Sequence, residues 1–419
     1  MTYNLKKIYS VYDIIKLKGP ISLAQYIKYV LTNPLDGYYM KKTAIGQKED
    51  FVTSPEISQI FGEIIGVYIL NEWLSKYNNQ PFNLVELGPG HGTLMRDLQR
   101  TFRKFPSTTD KFRYNMIEIS PKLKKIQQQN LIDINNKNSI NWYEKLENLP
   151  IDIGPYCFIA NEFFDALPFY KLQKTKDGWR QVLIGLNPEQ TDLTYVLSSK
   201  ASYLSSFIKE NETRDHVEIS PEIGSILKIM CDRLSENGGF ALICDYGHLG
   251  DKSDTFRAFK NHEIQDPLSN PGECDLTADV DFEFCLRILR SYNEKLGKQN
   301  WKRNKNRGKN FDGETLDKSN LKYGDYTDVN RSKTINDQFT ANTNGEKNDR
   351  LEIIGPIDQR QFLLENGAAL RLQMLLNKLD LNKDPDTELE KEKLMKNFEV
   401  LVGPNAMGNR FKFLIIKSR

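Results

Sequence analysis

The chain has 419 residues, enough for roughly two or three domains, and its 58 Lys and Arg nearly balance 56 Asp and Glu. That balance gives no electrostatic case for nucleic acid as the main partner. The five cysteines include no C-x-x-C and the four histidines make no ligand pair, so buried free thiols in a reducing compartment and no metal site are expected; no run reaches membrane-spanning length.

In chain order, Met1 to Leu17 carries Lys6, Lys7 and Lys16, one acid and no arginine, a weak organellar presequence. Ile21 to Leu31 predicts a short helix with Ser22 as its cap. Asn33 to Tyr39 reads as a turn ending in two aromatics. Ser54 and Pro55 then read as N-cap and first residue of a long helix. Ile57, Ile60, Phe61, Ile64, Ile65, Tyr68 and Ile69 give it an apolar stripe that must pack on a sheet.

Leu84, Val85 and Leu87 form the apolar run of a buried parallel strand. Gly88, Gly90 and Gly92 alternate through the turn after it, and Leu94 and Leu98 begin a helix. Such a turn lets backbone approach a ligand, and the helix N-terminus offers free N–H groups. A dinucleotide fingerprint wants Gly or Ala where Thr93 stands. Glu86 before Gly-x-Gly-x-Gly instead resembles S-adenosylmethionine (SAM) methyltransferases, where the carboxylate supports the methionine end of the cofactor. Phe112 to Ile117 is the next strand and ends at Glu118, placed to accept two ribose hydroxyls by the logic of dinucleotide folds.

Ser-Pro recurs at Ser120-Pro121 and Ser220-Pro221, each after an apolar run, so three strand-to-helix junctions share one design. Ser139 to Trp142, Tyr156 to Ala160, Gly239 to Cys244 and Phe411 to Ile416 read as further core strands. Phe169 to Gln173, Trp179 to Leu186 and Leu193 to Leu197 read as antiparallel strands of an insertion, a plausible wall over the site. Ser291 to Arg350 holds 11 Asn and only five Leu, Ile and Val, too few aliphatics to offset ordering, so it is expected to be a disordered loop. Its basic patch, Lys298 to Lys309, reads as a solvated charge run.

Asn161-Glu162-Phe163-Phe164-Asp165 follows a buried strand. Two carboxylates there can bind a guanidinium through charge-assisted bonds, orient one nitrogen and stabilise the proton it loses on methylation. The bland alternative is that the two Phe are core and Glu162 a structural cap. Asp245 and His248 close the Gly239 strand, and His248 could be a general base or a hydrogen-bonded loop histidine. Asp254 to Arg257 and Asp275 to Asp279 hold further polar groups, which could close the site or bind a peptide.

Five ordered motifs together resemble the MidA-type family: Asp50 to Ser58, Val85 to Thr93, Ala160 to Pro168, Asp245 to His248 and Leu276 to Phe282. Gly355-Pro-Ile357 and Met407 to Phe411 resemble its C-terminal pattern. The resemblance spans about residues 20 to 290 and 350 to 417. It implies a Rossmann-like α/β SAM methyltransferase fold and a mitochondrial matrix protein. It also implies symmetric dimethylation of an arginine on a respiratory complex I subunit during assembly. The expected cofactor set is Ser54, Glu86, Gly88, Gly90, Gly92, Thr93, Glu118 and Asn161; the expected catalytic set is Asn161, Glu162, Asp165 and His248. The domain reading is an N-terminal helical segment over 1–80, a core over 81–290 and 351–419 with a β-rich insertion at 169–217, and the insert 291–350. A non-catalytic assembly factor that keeps the fold is the alternative, which the full set of site residues argues against.

Overall fold

The computed structural model describes residues 10–41, 52–77, 80–105, 108, 111–131, 140–151, 154–308, 351–381 and 386–419. Among these residues eight strands form the central sheet. Phe82–Leu87 lies in its middle, parallel to Phe112–Ile117 on one side and Tyr156–Asn161 on the other. Ile140–Tyr143 extends the first side and Gly239–His248 the second, both in parallel. Phe411–Lys417 returns antiparallel to Gly239–His248, and Glu352–Asp358 pairs antiparallel with it at the edge. The order of the strands reverses beside Phe82–Leu87, which opens a crevice at the carboxyl ends of the parallel strands.

Strand alternation assigns side chains to two layers. Leu84, Ile159 and Leu242 face one side, where they meet Ile60, Phe61, Ile64 and Ile65 of the helix Gln59–Lys76. Val85, Phe158 and Ile243 face the other, against Leu227 and Met230 of Pro221–Asn237 and Phe282 and Leu289 of the following long helix. Burying each such side chain contributes about 1.5–3 kcal/mol. The helices Val11–Lys18 and Leu23–Thr32 pack elsewhere, with Ile184 and Leu193 of an antiparallel sheet and Leu276 of a small three-stranded one. Packing therefore divides the N-terminal helices: those before residue 40 sit with the two outer sheets, and Gln59–Lys76 sits on the core.

Several expectations are met closely. Ser22 caps Leu23–Thr32 by a reciprocal bond with Gln25, and Ser220 caps Pro221–Asn237. Three others need correction. Pro55 does not open one long helix: Ser54–Ile57 is a single turn that starts after Thr53, and the chain breaks at Ser58, whose extended backbone starts Gln59–Lys76 anew. The strand after Gly239 does not stop at Cys244 but runs through His248, because Gly247 and His248 find a partner in Val280 and Asp281. Ser291 to Gly308 is not loop but the continuation of the helix Phe282–Gly308. Its first turns bury Phe284, Cys285, Leu286 and Leu289, and a nucleated helix extends at little cost even through polar sequence. The rest of the expected disordered insert, 309–350, lies outside the described residues, as do residues 1–9 of the weak presequence.

Candidate active site

The carboxyl ends of the parallel strands open into a cavity of about 820 Å³, inside the usual range for small-molecule sites of ~300–1,000 Å³. Glu86, Gly88, Gly90, Thr93, Glu118, Asn161, Glu162 and Asp165 all line it.

The glycine turn explains itself by backbone. Gly88, Gly90 and Gly92 have φ of 61°, 54° and 81°, a region that favours glycine. At Gly88 a second reason appears: a Cβ there would lie 2.6 Å from the Phe163 ring, so the turn is pressed under that ring. Gly92 is the left-handed residue preceding Thr93–Phe102 and does not itself line the cavity. Glu86 is 3% exposed, and the free N–H of Met95 in the first helical turn bonds its carboxylate. Its Oε2 is buried with no partner among the described residues, and burial pushes the pKa up to about 8. A buried orphan acceptor is costly unless something completes it.

Glu118 stands across the turn. Its Oε1 accepts the Ser120 N–H at 2.7 Å and its Oε2 accepts Gln127 Nε2 at 2.9 Å. Burial raises its pKa, opposed by those two donors. Gln127 also reaches the carbonyl of Gly90 at 2.8 Å and receives the Trp142 indole N–H at 2.9 Å, so one buried amide ties the glycine turn to the ribose-type carboxylate. Sequence reasoning missed Gln127, which sits in a run of three glutamines with no local signal. It also missed Glu56, whose Oε1 accepts the Thr93 hydroxyl at 2.6 Å and fixes the helix start.

The loop Asn161–Asp165 is shaped by Asp245. Asp245 Oδ2 accepts three consecutive N–H groups, of Phe163, Phe164 and Asp165, at 3.2, 2.9 and 3.2 Å. Burial, then the nearby charges of Asp165 and Glu162, hold the Asp245 carboxyl well above the usual range. Glu162 turns at φ 50°, a strained value for a non-glycine residue that clusters at functional sites. Its Oε1 accepts the Ser54 N–H at 2.7 Å and Asn161 Nδ2 at 3.2 Å. Burial raises its pKa to about 7 against those bonds. Asp165 Oδ1 and Asn161 Oδ1 are buried with no partner among the described residues.

Besides Gly92, two expected site residues are not brought to the cavity. Ser54 is fully buried behind it and contributes its backbone N–H to Glu162. His248 is 5% exposed, and its Nδ1 accepts the Gly250 N–H at 3.0 Å. Burial lowers its pKa, and it does not line the cavity. The insertion strands also do not wall the site: no residue of 170–217 lines the cavity, which is closed instead by Lys28, Thr32 and Tyr39 and by Arg257, Phe259 and His262.

These residues fit SAM. The orphan Glu86 oxygen offers an acceptor to a cationic group beside the glycine turn, and Glu118 offers two oxygens one strand away. Gly90→Val would put a branched side chain at φ 54° on the cavity wall. About 1–3 kcal/mol of strain is expected there, with S-adenosylhomocysteine affinity down about tenfold or more and a melting temperature lower by only a few degrees. Titration calorimetry checks this; wild-type affinity in a folded variant would exclude the turn from the site.

A family model describing S-adenosyl-L-methionine-dependent methyltransferases matches residues 64–297. The mitochondrial protein arginine methyltransferase NDUFAF7 of Xenopus laevis is 38% identical, over 96% of this chain and 82% of its own. Its Homo sapiens counterpart is 35% identical over 96% of this chain and 81% of its own. Among solved structures, a Burkholderia thailandensis protein bound to S-adenosyl-homocysteine superposes with a TM-score of 0.68 at 18% identity, covering 97% of this chain and 90% of that one. Fold, site and family match together define a SAM-dependent methyltransferase. Within that class the chain belongs to the family of the mitochondrial protein arginine methyltransferase NDUFAF7. The compartment is mitochondrial, as in those relatives. Among the described residues no helix is long and apolar enough to cross a membrane, and no cluster of side chains could hold a metal.

Proposed function

We propose that this protein methylates an arginine of a protein substrate, with Glu162 holding the guanidinium and Asp165 supplying the second carboxylate. The observation that carries this is the pair of acids on the cavity wall beside the cofactor residues, each fixed by internal bonds on one side. The names of the relatives supply the arginine. Glu86, Gly88, Gly90, Thr93 and Glu118 hold the cofactor, which supplies an electrophilic methyl group. Asn161 steadies Glu162. Glu162 orients one terminal nitrogen and accepts the proton that nitrogen loses. Most of the acceleration comes from alignment. The resemblance to the MidA-type family extends the proposal to symmetric dimethylation of a respiratory complex I subunit during its assembly. The orphan acceptors at Glu86, Asn161 and Asp165 disfavour a purely structural scaffold, which would gain stability by losing them.

A pH profile tests the role of Glu162. A carboxylate must be ionised to hold a cation, and burial places this one near 7 in the free protein. The kcat/KM for the acceptor should therefore fall about tenfold per pH unit below about 7 and level off above it. The profile should lose this limb in Glu162→Gln. A wild-type profile flat from pH 5.5 to 8 would remove Glu162 from the reaction.

A further inference from the structure

Tyr246 and Thr277 line or border the site and have no part in the reaction so far. Tyr246 follows Asp245 on the central strand; Thr277 ends Asp275–Thr277 of the small three-stranded sheet. Their hydroxyls contact each other, and both bond the same oxygen, Asp165 Oδ2, that of Thr277 at 2.7 Å. The arrangement is braced from outside. The Arg257 guanidinium covers the Tyr246 ring, 5.1 Å from its centroid, and is pinned by Asp279 at 2.7 Å and by the Thr255 carbonyl at 2.9 Å. Thr255 is tied in turn to the half-buried Glu218, whose oxygens accept its N–H at 3.1 and 3.2 Å.

The effect on Asp165 is asymmetric. Both hydroxyls are spent on Oδ2, while Oδ1 is buried and has no partner among the described residues. Two hydroxyls on one oxygen together restrain the carboxylate from turning about its Cβ–Cγ bond, and so set the direction of the other oxygen. Buried polar atoms are rarely left unpaired, and this one belongs to a side chain on the cavity wall.

We propose that Tyr246 and Thr277 are positioning residues that aim Asp165 Oδ1 at the acceptor guanidinium, so that Glu162 and Asp165 grip different nitrogens of it. This rests on the arginine reading above. Glu162 provides the binding; Asp165, held by the two hydroxyls, fixes the rotation of the guanidinium plane and so the line of approach of the reacting nitrogen. Losing either hydroxyl halves that restraint and loosens Asp165, which leaves the acceptor bound and spoils its alignment. Interactions that matter for alignment appear in kcat rather than KM.

The test uses the full chain, methyl-labelled SAM and a mitochondrial extract from cells lacking the protein, diluted serially to give kcat and an apparent KM. Tyr246→Phe and Thr277→Val should each lower kcat about tenfold, as expected for a lost bond to a charged group, with KM and S-adenosylhomocysteine affinity unchanged. Thr277→Ser, which keeps the hydroxyl, should restore the kcat lost in Thr277→Val. Wild-type kcat in Tyr246→Phe and Thr277→Val would overturn the proposal. So would a Thr277→Ser as slow as Thr277→Val, or a loss confined to melting temperature and cofactor affinity, which is what a purely structural tie between the two sheets predicts. Failure of the wild type itself to label arginine would instead strike the underlying reading, so the two failures are distinct.

Discussion

Glu162→Gln is expected to lower methyl transfer about ten- to hundredfold while S-adenosylhomocysteine affinity barely changes. The substitution keeps the shape and one acceptor, so the bonds from the Ser54 N–H and Asn161 can persist. It removes the charge proposed to hold the acceptor. A hydrogen bond to a charged partner is worth about 1.5–3 kcal/mol, which converts to that range of rate. Methyl transfer and calorimetry on the same preparation separate the outcomes. A wild-type rate would exclude Glu162 from acceptor binding. A loss of cofactor affinity instead would move it to the cofactor side and leave the acceptor to Asp165.

Asp245→Ala should cost about 3 kcal/mol of stability and most of the activity, whereas Asp245→Asn should be far milder. Alanine leaves the N–H groups of Phe163, Phe164 and Asp165 without their acceptor, and each buried orphan costs about 1–3 kcal/mol. Asparagine keeps an oxygen in the same place. Charge is not what the loop needs here, since burial and two neighbouring acids favour the neutral form of Asp245. Denaturant midpoints of the two variants check this. An asparagine variant as unstable as the alanine one would mean that the negative charge itself holds the loop.

The parts of the site that were legible in the sequence sit where an apolar run stops. Glu86, the glycine turn, Glu118 and Asn161-Glu162 each adjoin a buried strand, and parallel strands deliver their ends to one crevice. What was not legible depends on residues far apart in the chain. Gln127 matters because its helix brings it under both Gly90 and Glu118. Thr277 matters because a distant small sheet lays it on Asp165. The Phe163 ring gives Gly88 a packing reason that no local rule contains. His248 had two readings, and its place away from the cavity wall follows from the pairing of the central strand with Val280–Asp281, a partner far along the chain. Composition misjudged Ser291 to Gly308 because it weighs residues one by one, whereas the helix there is anchored by Phe284, Cys285, Leu286 and Leu289 before the polar stretch begins.

We infer that the cavity transfers a methyl group to arginine. The most direct measurement incubates the purified protein with methyl-labelled SAM and mitochondrial extract from cells that lack it, then hydrolyses the proteins and separates the labelled amino acids. The account predicts label in arginine methylated on its terminal guanidino nitrogens, and its loss in Glu162→Gln. Label recovered in lysine or in carboxyl esters, or none at all from a protein that binds S-adenosylhomocysteine, would contradict it.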